Sequence, residues 1–536
     1  MCIAVLVAVL VGVAIQWLGR QSMPQPGTIP YFAVPVGKVR APLPYRIVSF
    51  HKGRADKNLI KLASQLGFNG VQIQIEGSNE NGIEAFASRE KTEHVIDYCH
   101  ALGMQVTVWV HEISDLPDEF STNYLGPVTV DNKAIWDRLE KRYEWMLSEA
   151  IPNVDGLVLT TVETQVNATS TPIMQKLVEL IDRKCQEHGK SLIVRTFVWH
   201  PDELDSVMAA VKGMPSDIVM MSKVVSQDWQ MRGGNSAEIG AVGGRPQIVE
   251  YDVAGEYFLK NTVANCMVDV LHRQFDYGIS KGVQGICARV DRDDSSVLFE
   301  PQEVNLWALG LLASGASDND DDIWRRWVTY RYGPQAVSGV VAALKPTGQV
   351  VAEMLSIGSF TLGDTRRSVP VPDEDIFNLN WQNWRWYPAK YTPELERAER
   401  GEARYAEEIQ QQKAVALMVA NQCITDLERA RNTLSEKDYR ILHTRLVSNK
   451  AQLEFRSLAA MAALHSRRIT AATSDAERKA AMELFLNDYL QADKLQAELK
   501  TYPAPRRFNY LGKIWTVDYP LGISPEVIAT WMNGSQ

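Results

Sequence analysis

From residue 45 onward, short apolar runs alternate with stretches whose apolar residues recur every three to four positions. The runs 45–50, 70–75, 105–111, 155–160, 191–199, 217–223, 247–252 and 283–290 are rich in Val, Ile, Thr and aromatic residues. Bounded by turn-forming residues, they predict strands. Between them, 58–66, 93–102, 132–151, 172–188 and 262–277 carry the helical period. Eight strands separated by helices predict a parallel (β/α)8 barrel. A doubly wound open sheet is the competing arrangement. The count of eight, and the lack of a GxGxxG turn after the first strand, weigh against it.

Beyond about residue 317 the pattern changes. Segments 322–330, 394–432, 436–465 and 475–500 are helical by period and rich in Ala, Glu, Arg, Leu and Gln. They predict a barrel over 45–317 followed by a helical C-terminal domain over 318–536. Homodimerisation is one role open to that domain. The last stretch, with Trp515, Tyr519 and Trp531, is expected to pack back onto the barrel.

The N-terminus has a different character. Residues 3–18 are apolar apart from Gly12 and Gln16. That is short of the roughly 20 residues of a membrane span and suits a signal-peptide core. No Lys or Arg precedes it and no small-x-small site follows. Residues 1–22 therefore read as a signal peptide or an uncleaved membrane anchor, with a buried core helix as the third option. Residues 23–44, rich in Pro and Gly, read as a linker. An exported chain is expected: periplasmic, extracellular or tethered to a membrane.

Composition narrows the chemistry. A length of 536 residues accommodates a barrel of roughly 250 residues and a further domain. A net charge of −9 without a long basic run argues against a nucleic-acid partner. The six Cys show no CxxC and no metal-ligand spacing, and Cys287 falls in an apolar strand expected to be core. No HExxH and no GxSxG is present. Neither a metal nor an organic cofactor is expected.

Barrel enzymes carry their chemistry at the C-terminal ends of the strands. Polar residues are dense there. His51 and Lys52 follow the first strand; Gln74 and Glu76 end the second; His111 and Glu112 end the third; Glu163 follows the fourth. Arg195, Trp199 and His200 end the fifth, and Lys223 ends the sixth with Asp228 and Trp229 beyond. Glu250, Asp252 and Glu256 belong to the seventh, and Asp291, Asp293 and Asp294 to the eighth. Carboxylates converging among Trp and Arg suit glycoside hydrolysis. One protonated acid donates to the leaving oxygen, and one carboxylate activates water or attacks C1. The competing reading is that rim charges are solvated or pair with one another.

Several segments resemble glycoside hydrolase family 67, the α-glucuronidases. Val194-Arg195-Thr196-Phe197-Val198-Trp199 resembles that family's Arg-x-Phe-Val-aromatic strand. The segment from Lys223 to Asp228-Trp229-Gln230 resembles its Lys-led segment ending Asp-Phe-Gln. Glu250 through Gly255-Glu256-Tyr257 resembles its Glu-x-Gln…Gln-Glu-Tyr strand and turn. Asn305 to Ala313 is similar to its Asn-x-Tyr-x-Phe-Gly helix, and Gly156 to Glu163 to the strand delivering its acid. The resemblance runs in order over roughly residues 45–335. It implies Glu163 as general acid, Asp228 and Glu256 as the base pair, and an inverting, exo-acting mechanism. Arg195 and Lys223 would contact the sugar or its carboxylate. Trp199, Glu250, His111 and Asp293 complete the expected carbohydrate contacts. The chain departs from the family at Leu159, where the family has Lys, and in the segments after Glu163 and after the eighth strand. It also lacks the family's N-terminal β-sandwich. It therefore reads as a relative rather than a member. Two other readings stand beside this one: a retaining barrel glycosidase using Glu163 and Glu250, and a non-catalytic carbohydrate-binding barrel.

Overall fold

Eight segments in extended conformation place an apolar side chain at every second position, and their pairing closes on itself. In the computed structural model the strands are β1 (Tyr45–Phe50), β2 (Gly70–Gln74), β3 (Gln105–His111), β4 (Gly156–Thr160), β5 (Ser191–Arg195), β6 (Val219–Lys223), β7 (Gln247–Asp252) and β8 (Gly285–Arg289). Each pairs in parallel with the next, and β8 returns to β1. This is a (β/α)8 barrel, and the closure rules out the open sheet. The structure describes residues 39–51, 55–74, 87, 94–111, 125–161, 170–197, 201–215, 217–226, 232, 234–255, 262–292, 295–361 and 388–499.

Alternation sends Ile47, Trp109, Val158, Ile193, Val219, Met221, Ile248 and Cys287 into one interior cluster. Cys287 is thus core, and the other described cysteines, Cys99, Cys185, Cys266 and Cys423, are likewise buried. The strands come close at their N-terminal ends. A Cβ at Gly285 would collide with the Cβ and carbonyl oxygen of Tyr45.

The outer helices are α1 (Lys57–Gln65), α2 (Val95–Ala101), α3 (Lys133–Trp145), α4 (Thr171–Glu187), α5 (Pro201–Gly213), α6 (Val268–Ser280) and α7 (Glu303–Ser314). Asp56 caps α1 by accepting from the amides of Asn58 and Leu59. Three differences from the sequence pattern stand out. The fifth strand ends at Arg195 rather than 199, and α5, which the apolar pattern did not announce, follows. The expected helix 262–277 starts only at Val268, and 262–267 is buried, irregular backbone. Helix α7 is buried from Glu303 to Ala313, so it has no polar face to give it a period.

The helical region comprises α8 (Asp320–Tyr332), α9 (Val337–Leu344), α10 (Thr347–Met354), α11 (Pro388–Glu399), α12 (Ala403–Arg429), α13 (Glu436–Ala471) and α14 (Asp475–Leu499). The expected helix 394–432 is two helices. Gly401, at φ +62, breaks it where a Cβ would lie 2.8 Å from the backbone of Arg467 and Arg468 in α13. Small residues let α12 and α13 approach: Ala406 and Ile409 pack against Ala459, Ala460 and Ala463. The described part of the expected 23–44 linker is pinned to the C-terminal end of α7. There Val39 N donates to Gly315 O (2.8 Å) and Leu43 N to Ala313 O (2.9 Å). The signal or anchor segment 1–22 and the stretch 501–536 lie outside the described residues. Among the described residues, no helix is long and apolar enough to cross a membrane.

Candidate active site

Climbing the barrel axis toward the C-terminal mouth, the inward residues change from apolar to ionic. Register places Thr160 beside Arg195 and Lys223 beside Glu250. Trp109 forms the floor. Its Nε1 donates to Thr160 Oγ1 (2.6 Å), which also accepts from Arg195 Nη1 (3.0 Å). The Arg195 guanidinium lies over the Trp109 ring at 4.2 Å, with that of Arg289 at 5.5 Å. Arg195 Nη2 and Nε donate to Glu250 Oε2 at 2.5 and 3.2 Å. Arg289 Nε stands 3.8 Å from Glu250 Oε1. Lys223 Nζ sits 3.6 Å from the centre of the Phe197 ring.

Glu250 is 0% exposed. Burial pushes its pKa up. Arg195, Arg289 and Lys223 pull it down further, so the net direction is below the ordinary carboxylate range. The side chain is a buried, fixed anion. Removing one member of such a buried pair costs roughly 3–5 kcal/mol. Only one of its oxygens is hydrogen-bonded. Glu250 Oε1 takes no hydrogen bond, and neither does Gln74 Oε1 at the end of β2.

The rim above is shaped by two aspartates. Asp291 Oδ1 accepts from His51 N at 2.6 Å. Asp252 Oδ1 accepts from Ala254 N (3.2 Å) and Gly255 N (3.1 Å), shaping the turn that leads on toward residue 256. Among the described residues, no cluster of three His, Cys, Asp or Glu could hold a metal ion.

Behind the wall lies a carboxyl that the sequence did not single out. Glu238, from the β6–β7 connection, accepts from Thr196 Oγ1, which shares a 2.8 Å hydrogen bond with Ser222 Oγ. Gln247 Nε2 donates to Ser222 Oγ and to Glu238 O, both at 2.9 Å. Thr196 and Ser222 adjoin Arg195 and Lys223, so this network braces the two strand ends carrying those cations. Burial raises the Glu238 pKa to about 7.

Helix α7, the residue before it and the helical region together hold the loop after β7. Gln302 Nε2 donates to Val263 O (2.7 Å). Asn449 of α13 donates to Ala264 O (2.8 Å) and accepts from Ala264 N (2.7 Å). Asn305 of α7 donates to Asn265 O (2.9 Å) and accepts from Met267 N (2.7 Å). Thr347 of α10 accepts from Cys266 N (3.1 Å). The loop after β8 is tied by Arg445, whose guanidinium grips both Glu300 oxygens at 2.8 Å. The loop after β6 is tied by Arg232, which bonds Glu353 and Gly358 O. Arg445, Asn449, Gln452 and Arg456 recur at helical spacing along α13, with Asn449, Gln452 and Arg456 buried. A search for apolar period passes over such a polar stripe.

Of the expected site residues, the structure brings Arg195, Lys223 and Glu250 together. Arg195 is engaged by Glu250 and Thr160 rather than pointing free into the mouth. His111 ends β3 opposite Thr160, with only its backbone described. Glu163, Trp199, Asp228, Glu256 and Asp293 lie outside the described residues.

No family model and no curated protein matches this chain. Solved structures do. One is a glycoside hydrolase family 138 enzyme targeting pectin rhamnogalacturonan II. It aligns with a TM-score of 0.62 at 13% identity, over 85% of this chain and 78% of that one. A mutant O-GlcNAc hydrolase from Thermobaculum terrenum aligns at 0.42 and 11% identity, over 92% and 97% of the two chains. A family 20 β-N-acetylhexosaminidase from Streptomyces coelicolor A3(2) aligns at 0.38 and 11%, over 56% and 70%. The first of these is a likeness of fold over most of the chain, more than the strands and outer helices of the barrel alone.

Proposed function

We propose that this chain is a glycoside hydrolase working at the C-terminal mouth of its barrel. Glu250 carries the reading. It is an ionised carboxylate at the end of β7, with one oxygen clamped by Arg195 and the other free of hydrogen bonds. A fixed negative charge is what an oxocarbenium-like transition state needs on one face of the sugar. Glu163, three residues past the end of β4, is assigned the general acid on the family 67 resemblance.

We infer the retaining reading rather than the inverting one, because Glu250 has an oxygen that takes no hydrogen bond and could attack. Glu250 Oε1 attacks C1 while Glu163 gives its proton to the leaving oxygen. The C1–oxygen bond breaks as the glycosyl ester forms. Glu163 then takes a proton from water, the water oxygen attacks C1, and the ester bond returns its electrons to Glu250. The reading requires the mouth to open to substrate, since Glu250 is buried. It places the two carboxyls about 5–5.5 Å apart, against the roughly 6.5–9.5 Å that an inverting pair of Glu163 with Asp228 and Glu256 needs. For the substrate we infer a uronic-acid-containing plant oligosaccharide. The α-glucuronidase resemblance and the pectin target of the family 138 neighbour both support that class.

The test is reducing-end release from pectic and glucuronoxylan oligosaccharides by wild type, Glu163→Ala and Glu250→Ala. Both variants are expected to lose at least a thousandfold in kcat/KM, and azide to rescue Glu250→Ala as a glycosyl azide. Proton NMR of the first-formed anomer should show retention. Inversion would hand the base role to Asp228 and Glu256. Glycan binding without release, unchanged in Glu163→Gln, would make the protein a carbohydrate-binding barrel.

A further inference from the structure

Among the described residues only His94 and Phe299 hold a positive φ without being glycine, and Phe299 stands at +66°. A bulky side chain in that region is a steric outlier. It persists only where the surroundings over-determine it, and such strain gathers at functional positions.

The surroundings of Phe299 do over-determine it. Its amide donates to Glu303 Oε2 at 3.0 Å. Glu303, fully buried at the start of α7, also accepts from Trp327 Nε1 (3.1 Å) and Arg331 Nε (2.6 Å). That bond and a second to the same carboxylate aim the Arg331 guanidinium at the Phe299 ring, 4.5 Å from its centre. The loop itself is anchored on both sides. Val297 N donates to Val290 O (3.0 Å), and Glu300 is gripped by Arg445. Yet Phe299 remains 49% exposed. Two costs are therefore carried here, backbone strain and a half-exposed aromatic ring.

We propose that Phe299 is a stacking platform for a pyranose ring of the oligosaccharide, at a subsite outside the bond-breaking centre. The inference rests on the glycoside hydrolase reading. The loop leaves the C-terminal end of β8, so the ring stands on the mouth side of the barrel. Sugar C–H groups pack on aromatic faces, and the cation behind the ring fixes its orientation before the sugar arrives. Glycine would be the relaxed residue at this φ.

The experiment measures binding by calorimetry, using the full chain and pectic and glucuronoxylan oligosaccharides of two to six sugars. Phe299→Ala is expected to weaken the longer oligosaccharides at least tenfold and the disaccharides less than twofold. Phe299→Trp should retain the length dependence. Phe299→Gly should lose it while leaving Tm unchanged or higher, which a structural ring would not do. Unchanged affinity at every length would overturn the proposal. So would an equal loss at all lengths with a fall in Tm, or a wild type that binds none of the oligosaccharides. Hydrolysis is scored on the same samples. Length-dependent binding through Phe299 without bond cleavage would sink the hydrolase reading and leave the platform standing. Cleavage with Phe299-independent binding would do the reverse.

Discussion

At the scale of single residues, two buried glutamates on opposite sides of one barrel wall behave in opposite ways. Glu250 faces inward among three cations and is held ionised. Glu238 faces the outside of the wall among hydroxyls, and burial lifts its pKa from 4.5 to about 7. The sign of the linkage follows. The folded state binds this proton more tightly than the unfolded chain does. Stability from the protonated carboxyl is fully present below about pH 4.5 and is lost as pH rises through 7. Glu238→Gln keeps the shape and removes the charge. Denaturant unfolding at pH 5 and pH 8 should show the variant gaining on wild type at the higher pH, by on the order of 3 kcal/mol. Parallel pH profiles would mean that Glu238 does not titrate there. Arg195, Lys223 and Glu250 were legible in the sequence because strand ends are where a barrel exposes its chemistry. Glu238 was not. Its partners Thr196, Ser222 and Gln247 come from just past β5, from β6 and from β7, and no local motif joins them.

At the scale of elements, the strands were legible to within a few residues because a period of two is imposed by the pleat itself. Two departures from the apolar period share a cause: burial from more than one side. Helix α7 has no solvent face, so the family 67 resemblance pointed to it and an amphipathic period did not. Segment 262–267 is apolar enough to pass for the start of a helix. It is irregular instead because distant side chains satisfy its backbone, Asn449 from 185 residues away. Asn449→Ala strands a buried amide and a buried carbonyl at Ala264. At about 1–3 kcal/mol for each group, the loss should be roughly 2–6 kcal/mol. Hydrogen exchange at residues 264–267 should rise in step. Wild-type protection in the variant would show that the clamp contributes nothing.

At the scale of the whole molecule, the helical region belongs to the mouth of the barrel. It ties down the loops after β6, β7 and β8 through Arg232, Asn449 and Arg445. Those loops lead into the segments that carry Asp228, Glu256 and Asp293 in the sequence. The chain therefore predicts its own response to truncation. A protein ending near Ser317 would bare α7 and strip the Thr347 and Asn449 bonds from segment 262–267, so it should aggregate or unfold without a cooperative transition. Light scattering and calorimetry of that fragment check this, and a monomeric fragment with a sharp transition would show a self-sufficient barrel. The break at Gly401 and the alanine contacts of α12 and α13 were beyond the reach of periodicity. They depend on how closely two distant helices approach, which the period within one helix does not report.

The laced segment 263–267 carries a last consequence. Its peptide groups are recognised by asparagine, glutamine and threonine side chains much as a receptor recognises an extended peptide. Such recognition reads main chain, so the clamps do not depend on the side chains of Val263 to Met267, which burial alone constrains. They do depend on Asn305, Thr347 and Asn449. Across descendants of this architecture the two halves would have to be inherited as a pair. Exchanging the helical part for that of another barrel would leave a mouth fastened from one side only, by Gln302 and Asn305.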